Sequence, residues 1–272
     1  MASASLIPRH LQISKKVRLS SVSINHLQRI SLVVLLLVIP LRHPLFNLDA
    51  NQTAVLLIAF LAVSFLIGSL TEWKSAWCAA ACPIHHVEKL YGCQTAVTFI
   101  NAHCFPCAQC VQPCPDSTQN NHSLYPGLPP HRLTTGKIMT GIFPGYVWGW
   151  FQVADHAAGG NLLSSFAMCF LGGVVSLGVF YAALKIRKDD NDFRLTKIFA
   201  GAAVSIYYWY RLPALMGYTA FTGDGTLIDL SGSLPTITPF LLRLATTSLF
   251  AWWFVMRKPQ YREWLRRPIV QK

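Results

Sequence analysis

Long apolar segments separated by short polar ones make up most of this chain. A helix needs about 20 mainly apolar residues to cross a bilayer. Five segments approach or reach that length: 30–41 with an extension at one end, 53–70, 162–184, 198–218 and 235–256. A weaker sixth segment, 138–153, contains Pro144 and several glycines, so hydropathy alone does not decide whether it crosses a membrane. The pattern predicts an all-α polytopic membrane protein.

The composition agrees with this class. Hydrophobic residues make up 53% of the chain and charged residues only 12%, whereas a soluble domain carries about 25% charged residues. The formal net charge of +12 would also suit a nucleic-acid-binding protein. The positions of the charges favour a membrane protein over a nucleic-acid-binding protein, because the charges lie in the connections between the apolar segments.

Basic residues are concentrated in alternate connections. They lie in segments 1–29, 74–137, 185–197 and 257–272, whereas the intervening loops 42–52, 154–161 and 219–234 contain only Arg42. Cytoplasmic loops collect Lys and Arg. If 138–153 crosses the membrane, every basic residue except Arg42, Arg211 and Arg243 lies on one side. The charges therefore predict about six transmembrane helices in an inner membrane, both termini in the cytoplasm, a lipid bilayer as partner and no nucleic acid.

This prediction divides the chain into five parts. They are a basic cytoplasmic tail (1–29), two transmembrane helices (30–73), a cytoplasmic cysteine-containing loop (74–137), four further transmembrane helices (138–256) and a second basic cytoplasmic tail (257–272). The first tail is rich in serine and has no acidic residue, which is also typical of an organellar transit peptide. A cytoplasmic tail before the first span needs no further assumption.

Seven of the eight cysteines lie between Cys78 and Cys114, within the predicted loop. Four of them form a C-x2-C-x2-C-x3-C-P run: Cys104, Cys107, Cys110 and Cys114, followed by Pro115. This is the spacing of bacterial ferredoxins. Two-residue gaps let one tight backbone wrap place three thiolates on three irons of a cubane, and the proline turns the chain away from it. The run predicts a 4Fe–4S cluster in a ferredoxin-like loop.

A shorter element, C-x3-C-P, precedes the run at Cys78, Cys82 and Pro83. In two-cluster ferredoxins the fourth cysteine of a run binds the other cluster. With such a crossover, Cys82 completes the cluster held by the first three cysteines of the run. Cys78 and Cys114 then remain for a second cluster, with Cys93 as a further ligand. The histidines that could supply a fourth ligand are His85, His86 and His103. Without a crossover, the run holds one cluster by its own four cysteines.

Other interpretations of these residues are open. Zinc also accepts four cysteines, although successive two-residue gaps are more typical of cubanes. A disulfide framework is disfavoured because the cytoplasm is reducing. The three histidines are better explained as ordinary loop residues than as ligands. Cys169 lies within an apolar segment and is explained as a small packing residue.

The tryptophan-flanked Cys78-x3-Cys82-Pro83 element after an apolar segment, followed by the ferredoxin run, resembles the membrane ferredoxin-type 4Fe–4S proteins of the NapH, MauN, CcoG and NosR groups. The resemblance covers about residues 55–120. It implies electron transfer between the quinone pool or a cytoplasmic donor and redox partners, membrane-bound or soluble, or assistance in metalloenzyme maturation. This chain has fewer C-x3-C-P elements at span ends than typical members, and more predicted spans than NapH-like proteins.

Two arginines, Arg211 and Arg243, lie inside apolar segments that contain no acidic residue to pair with them. An ionisable residue within a membrane is costly and marks a functional site by default. One interpretation is a quinone or an anionic ligand near the outer leaflet. The other is snorkelling or pairing with backbone carbonyls. The acidic residues of the outer loops that could reach these arginines are Asp155, Asp224 and Asp229.

Three functions compete on this basis. The first is a membrane-anchored iron–sulfur electron-transfer subunit, the second a maturation or redox-sensing protein, and the third a zinc-stabilised membrane scaffold or transporter. The sequence contains no nucleotide-binding glycine motif and no nucleophile arrangement of the kind that enzymes use. The sequence therefore favours an electron-transfer component over a self-contained enzyme.

Overall fold

The computed structural model describes residues 1–15, 17–71, 76–91, 130–154, 162–186, 192–219, 221 and 225–257. The helices in these ranges are α1 (Ala2–His10), α2 (Ser21–Leu41), α3 (Ala50–Leu70), α4 (His85–Tyr91), α5 (Pro130–Trp150), α6 (Leu162–Ile186), α7 (Asp192–Leu215) and α8 (Thr238–Ala251). Wide, π-helical turns occur at Arg42–Phe46, Trp77–Ala81 and Trp252–Met256. Within the described ranges the only β-type pairing is an isolated bridge between Val17 and Thr71.

The chain divides into two compact units. The first contains α1, α2 up to Val38, α3, α4 and α5 up to Gly136, and the second contains Ile39–Leu48, the rest of α5 and α6 to α8. Each is built from helices packed on helices, as an all-α fold requires. The predicted all-α class is therefore confirmed for the part of the chain that the structure describes.

Four helical segments are long and apolar enough to cross a membrane: Ser21–Phe46, Ala50–Leu70, Leu162–Ile186 and Thr238–Met256. They coincide with the first, second, fourth and sixth predicted spans. The segments predicted as the third and fifth spans are also helical, as α5 and α7, but these two helices are less apolar than α3 and α6. Apolar side chains on α3, such as Ile58 at 65% exposure, form the kind of surface that a bilayer covers.

The N-terminal segment packs against the C-terminal end of α3. Ser64 donates a hydrogen bond of 2.6 Å to the carbonyl of Met1, and Arg9 donates one of 2.6 Å to the carbonyl of Thr71. At Gly68 a Cβ atom would overlap the backbone of Ser5, so only glycine allows this approach of α1 to α3. Part of the predicted basic tail is therefore a packed helix.

The first long helix begins earlier than the apolar pattern indicates. α2 begins at Ser21, nine residues before the predicted span, and the hydroxyl of Ser20 accepts a 3.1 Å hydrogen bond from the backbone N–H of Ser23. A serine that accepts from this position satisfies an otherwise unpaired donor of the first turn and so favours the start of a helix. The capping serine, rather than the first apolar residue, sets the helix boundary.

In the second unit, α5 packs against α6 through glycines. A Cβ atom at Gly145 would overlap the carbonyl oxygen of Gly172, and a Cβ at Gly149 would overlap the backbone of Met168. Ser176 of α6 also donates a 2.7 Å hydrogen bond to the carbonyl of Gly141. Small residues four apart let two helix backbones approach closely, which is a common way to join helices in membranes. The contacts run antiparallel along the two helices.

We expect Gly145→Ala to destabilise this helix pair. The new methyl group meets backbone rather than a flexible side chain, so α5 and α6 must separate, and overpacking of this kind costs about 1–3 kcal/mol. The thermal unfolding temperature in detergent measures the loss. Gly178→Ala, on α6, is the matched control because its Cβ would meet open space, and it should be neutral or slightly stabilising. Equal destabilisation by both substitutions would contradict the proposed packing.

Candidate functional site

Cys78 and Cys82 lie on the wide turn that follows α3. Cys78 is within the turn Trp77–Ala81, and the backbone N–H of Cys82 closes the turn with a 2.8 Å hydrogen bond to the carbonyl of Trp77. Turns of this width are rare and occur frequently at functional sites. Both side chains are half-buried, and neither forms a disulfide with another described residue.

The surroundings of Cys82 suit a bound thiolate. Burial raises the pKa of its thiol, while the nearby backbone N–H groups of Ile84 and His85 lower it. The His85 N–H also donates a 3.2 Å hydrogen bond to the Cys82 carbonyl. Glu88 adds a smaller, unfavourable charge effect. A metal would offset the cost of burying a thiolate, and the two N–H groups would stabilise it further. Cys82 therefore fits the part of a cluster ligand.

His86 has a structural contact instead. Its Nε2 atom lies 2.8 Å from the carbonyl oxygen of Gln28 and 2.9 Å from the hydroxyl of Ser31, so the ring ties α4 to α2. Burial lowers the pKa of His86 to about 4, which keeps the ring neutral. Because the carbonyl can only accept, Nε2 carries the proton. This nitrogen is occupied as a hydrogen-bond donor, in keeping with the interpretation of this histidine as a non-ligand. His85 is buried beside it.

Most of the predicted ligands lie outside the described residues. These are Cys93, Cys104, Cys107, Cys110 and Cys114, together with His103. Among the residues that the structure does describe, no group of three His, Cys, Asp or Glu side chains could hold a metal ion. The ligand set thus stays a prediction. Of its cysteines, the structure describes Cys78 and Cys82.

Cys169 has the surroundings expected of a packing residue. It is fully buried on α6 and lies next to Gly149 of α5.

The second unit contains a cavity of about 540 Å³ at the ends of three helical segments. Its wall includes Arg42 from the turn after α2, Trp150 at the end of α5 and Arg211 near the end of α7. A smaller cavity, of about 80 Å³, shares Trp150 and Arg211 and adds Arg243. The two arginines that the sequence singled out therefore line adjoining cavities.

The three arginines differ in their contacts. Arg243 donates a 3.2 Å hydrogen bond to the carbonyl of Trp209 and lies over its ring. Arg42 lies over the ring of Trp150, 5.7 Å from the centroid, with a long 3.4 Å contact to Asn47. Arg211 is half-buried and forms no hydrogen bond or ion pair with any residue that the structure describes.

Of the acidic residues predicted as partners, Asp155 and Asp224 lie outside the described residues. Asp229 accepts hydrogen bonds of 3.0 and 2.6 Å from the backbone and hydroxyl of Ser231, which lower the pKa of its carboxyl group. It lines neither cavity. Asp229 thus stabilises a turn of the loop rather than pairing with an arginine there.

Sequence reasoning did not place Arg42 or Trp150 at a site. Arg42 stands out in the sequence only as the single basic residue of the loops 42–52, 154–161 and 219–234. Comparison of the chain with family models, with curated proteins and with solved structures finds no match.

Proposed function

We propose that this protein is a membrane-anchored iron–sulfur electron-transfer subunit, similar to the membrane ferredoxin-type proteins of the NapH, MauN, CcoG and NosR groups. It passes electrons between a quinone or a cytoplasmic donor and a partner redox protein. The ferredoxin run at 104–115 carries the proposal, because its spacing is that of cubane ligands. Half-buried Cys82, with its two backbone donors, supports it from the described residues.

In this proposal Cys82 holds a 4Fe–4S cluster together with Cys104, Cys107 and Cys110. The cluster supplies one-electron transfer when bound. The protein contributes the four thiolates, the N–H groups of Ile84 and His85 that face the Cys82 sulfur, and the burial that limits water access. Hydrogen bonds to sulfur and exclusion of solvent both tune the potential of such a group. A second cluster would use Cys78, Cys93 and Cys114.

The proposed topology has six spans in an inner membrane, with the cysteine loop and both termini in the cytoplasm. α5 and α7 supply the third and fifth spans, and their 21 and 24 residues correspond to lengths of about 31 and 36 Å at 1.5 Å per residue. Both lengths suffice for a hydrocarbon core of about 30 Å. Charge segregation supports this assignment more strongly than hydropathy does.

Metal analysis tests the proposal. Protein purified anaerobically should contain iron and acid-labile sulfide in equal amounts, with about four irons per cluster, and should give an EPR signal on reduction. Cys169→Ala should leave all three measurements unchanged, since Cys169 is a buried packing residue of α6. Stoichiometric zinc without iron or sulfide would instead support the zinc-stabilised scaffold.

A further inference from the structure

The arginines that break the charge segregation meet in one region of the second unit. Of 23 lysines and arginines, only Arg42, Arg211 and Arg243 fall outside the predicted cytoplasmic segments. The structure places all three on the walls of two adjoining cavities. They come from positions 32 or more residues apart in sequence, so local sequence does not explain why they lie in one region. A requirement for positive charge at these cavities explains it.

The larger cavity changes from charged to apolar along its length. Arg42, Trp150 and Arg211 lie at or near the ends of their helical segments, whereas Ile39 and Phe143 lie deeper along α2 and α5. At 1.5 Å per residue, Phe143 is about 10 Å from Trp150 along the helix axis. A molecule that fills this space meets guanidinium groups at one end and hydrocarbon at the other.

Positive charge in the larger cavity has no counter-ion among the described residues. No carboxylate of the described residues lines either cavity. A partly buried charge without a counter-ion is costly. An anionic group in the cavity would pair with the Arg211 guanidinium.

Gly225 lets the loop after α7 approach Arg211. Its φ angle is +68°, a conformation that favours glycine, and a Cβ atom there would overlap Nη1 of Arg211. The loop backbone therefore lies against the guanidinium and limits its movement. Holding an arginine in one orientation in this way prepares a binding site before the ligand arrives.

Stabilisation of helix ends is the competing explanation. Cations near helix C-termini interact favourably with the free carbonyl groups. A free carbonyl within a helix explains Arg243 in a similar way: it donates to the carbonyl of Trp209, which Pro213, four residues on, cannot pair because it has no N–H. It explains Arg211 less well, because that side chain bonds to no carbonyl of the described residues. Among the described residues, Arg211 is thus the arginine that this explanation covers least.

We propose that the larger cavity binds an amphiphile with an anionic head group, of the kind that an anionic phospholipid presents: the head on Arg211 and Arg42, and the tail along Ile39 and Phe143. Two guanidinium groups favour a phosphate over the neutral ring of a quinone. This site goes beyond the proposed electron transfer and does not depend on it.

Native mass spectrometry of the full-length protein in detergent tests the site. The protein is titrated with phosphatidylglycerol and with phosphatidylcholine of the same acyl chains. We expect retention of phosphatidylglycerol at least about tenfold tighter than that of phosphatidylcholine, and at least about tenfold weaker retention in Arg211→Gln. Arg194→Gln is the matched control, because Arg194 is an exposed arginine of the same helix that lines neither cavity.

Two further variants separate the site from a folding defect. Arg42→Gln alters an exposed side chain and should weaken phosphatidylglycerol retention in the same direction as Arg211→Gln. Gly225→Ala keeps every charge but displaces the Arg211 guanidinium, so it should also weaken retention. Equal retention of both lipids, or an equal loss in Arg194→Gln, would overturn the proposal. So would saturation by inorganic phosphate alone, or displacement of the lipid by a short-chain quinone.

Discussion

Cys82→Ala is expected to abolish the iron–sulfur signal as completely as Cys107→Ala. In the crossover arrangement Cys82 is the fourth ligand of the cluster held by Cys104, Cys107 and Cys110, and a cubane that loses one thiolate loses its closed coordination. The half-buried position of Cys82 and the N–H groups of Ile84 and His85 support its role as a thiolate ligand. Iron content and the EPR signal of anaerobically purified protein measure the loss.

The companion variant is Cys114→Ala, which should leave the first cluster intact because Cys114 serves a second site. If the run holds a single cluster by its own four cysteines, the two results reverse: Cys114→Ala removes the signal and Cys82→Ala retains it. Cys169→Ala should leave the iron content and the EPR signal unchanged in both cases. Membrane insertion has to be checked in each variant, since a general collapse of the fold would also remove iron.

The apolar pattern was sufficient to predict the helices that are long and apolar enough to cross a membrane. The spans predicted at 53–70 and 162–184 correspond closely to α3 and α6. Boundaries were predicted less well, because they depend on local hydrogen bonds rather than on hydropathy. Ser20 begins α2 before its apolar part, and the wide turn at Arg42–Phe46 prolongs it.

α5 shows why hydropathy was ambiguous for one segment. Its inner face is buried, with Thr140 and Tyr146 fully inaccessible, and Gly145 and Gly149 lie against α6. A helix that contacts other helices on this face needs small residues there rather than large apolar ones. The glycines that lower the mean hydropathy of α5 are therefore explained by its packing against α6. A hydropathy value averaged over one segment contains no information about contacts with another helix.

The candidate sites were predictable in chemistry but not in geometry. Cysteine spacing identifies thiolate ligands, yet it does not reveal the backbone donors near Cys82, which arise from the chain turning at Pro83. Similarly, Arg211 was notable as a charge within an apolar segment. Its association with Arg42 depends on how the ends of separate helical segments pack, and no sequence pattern spans the 169 residues between them.

Contacts within each unit bear on the membrane topology. In the first unit, Val17 pairs with Thr71 at the C-terminal end of α3, so the N-terminal segment lies at the end where the chain continues to Cys78. In the second, α7 runs antiparallel to α8: Gly201 lies against Phe254, and Arg243 bonds to the Trp209 carbonyl. If α8 crosses the membrane, α7, which lies alongside it for about 12 Å, is expected at the same depth.

Reporter fusions are expected to distinguish six spans from four. With six, fusions at Ala158 and Asp224 read as outside and a fusion at Asp189 reads as cytoplasmic. If only the four most apolar helices cross, Ala158 is cytoplasmic and Asp189 is outside, while the C-terminus is cytoplasmic in both cases and serves as the control. These insertion points lie outside the described residues, in connections between helices.

The six-span result is expected because of the charges around Asp189. Four spans would move a group of basic residues to the outside, namely Lys185, Arg187, Lys188, Arg194 and Lys197. The positive-inside rule disfavours this arrangement in a short loop. The antiparallel packing of α5 on α6 supports six spans independently. The contacts of α5 from Gly141 to Gly149 run along α6, and α6 is long and apolar enough to cross a membrane. A cytoplasmic signal at Ala158 would remove α5 from the membrane and refute the proposed topology.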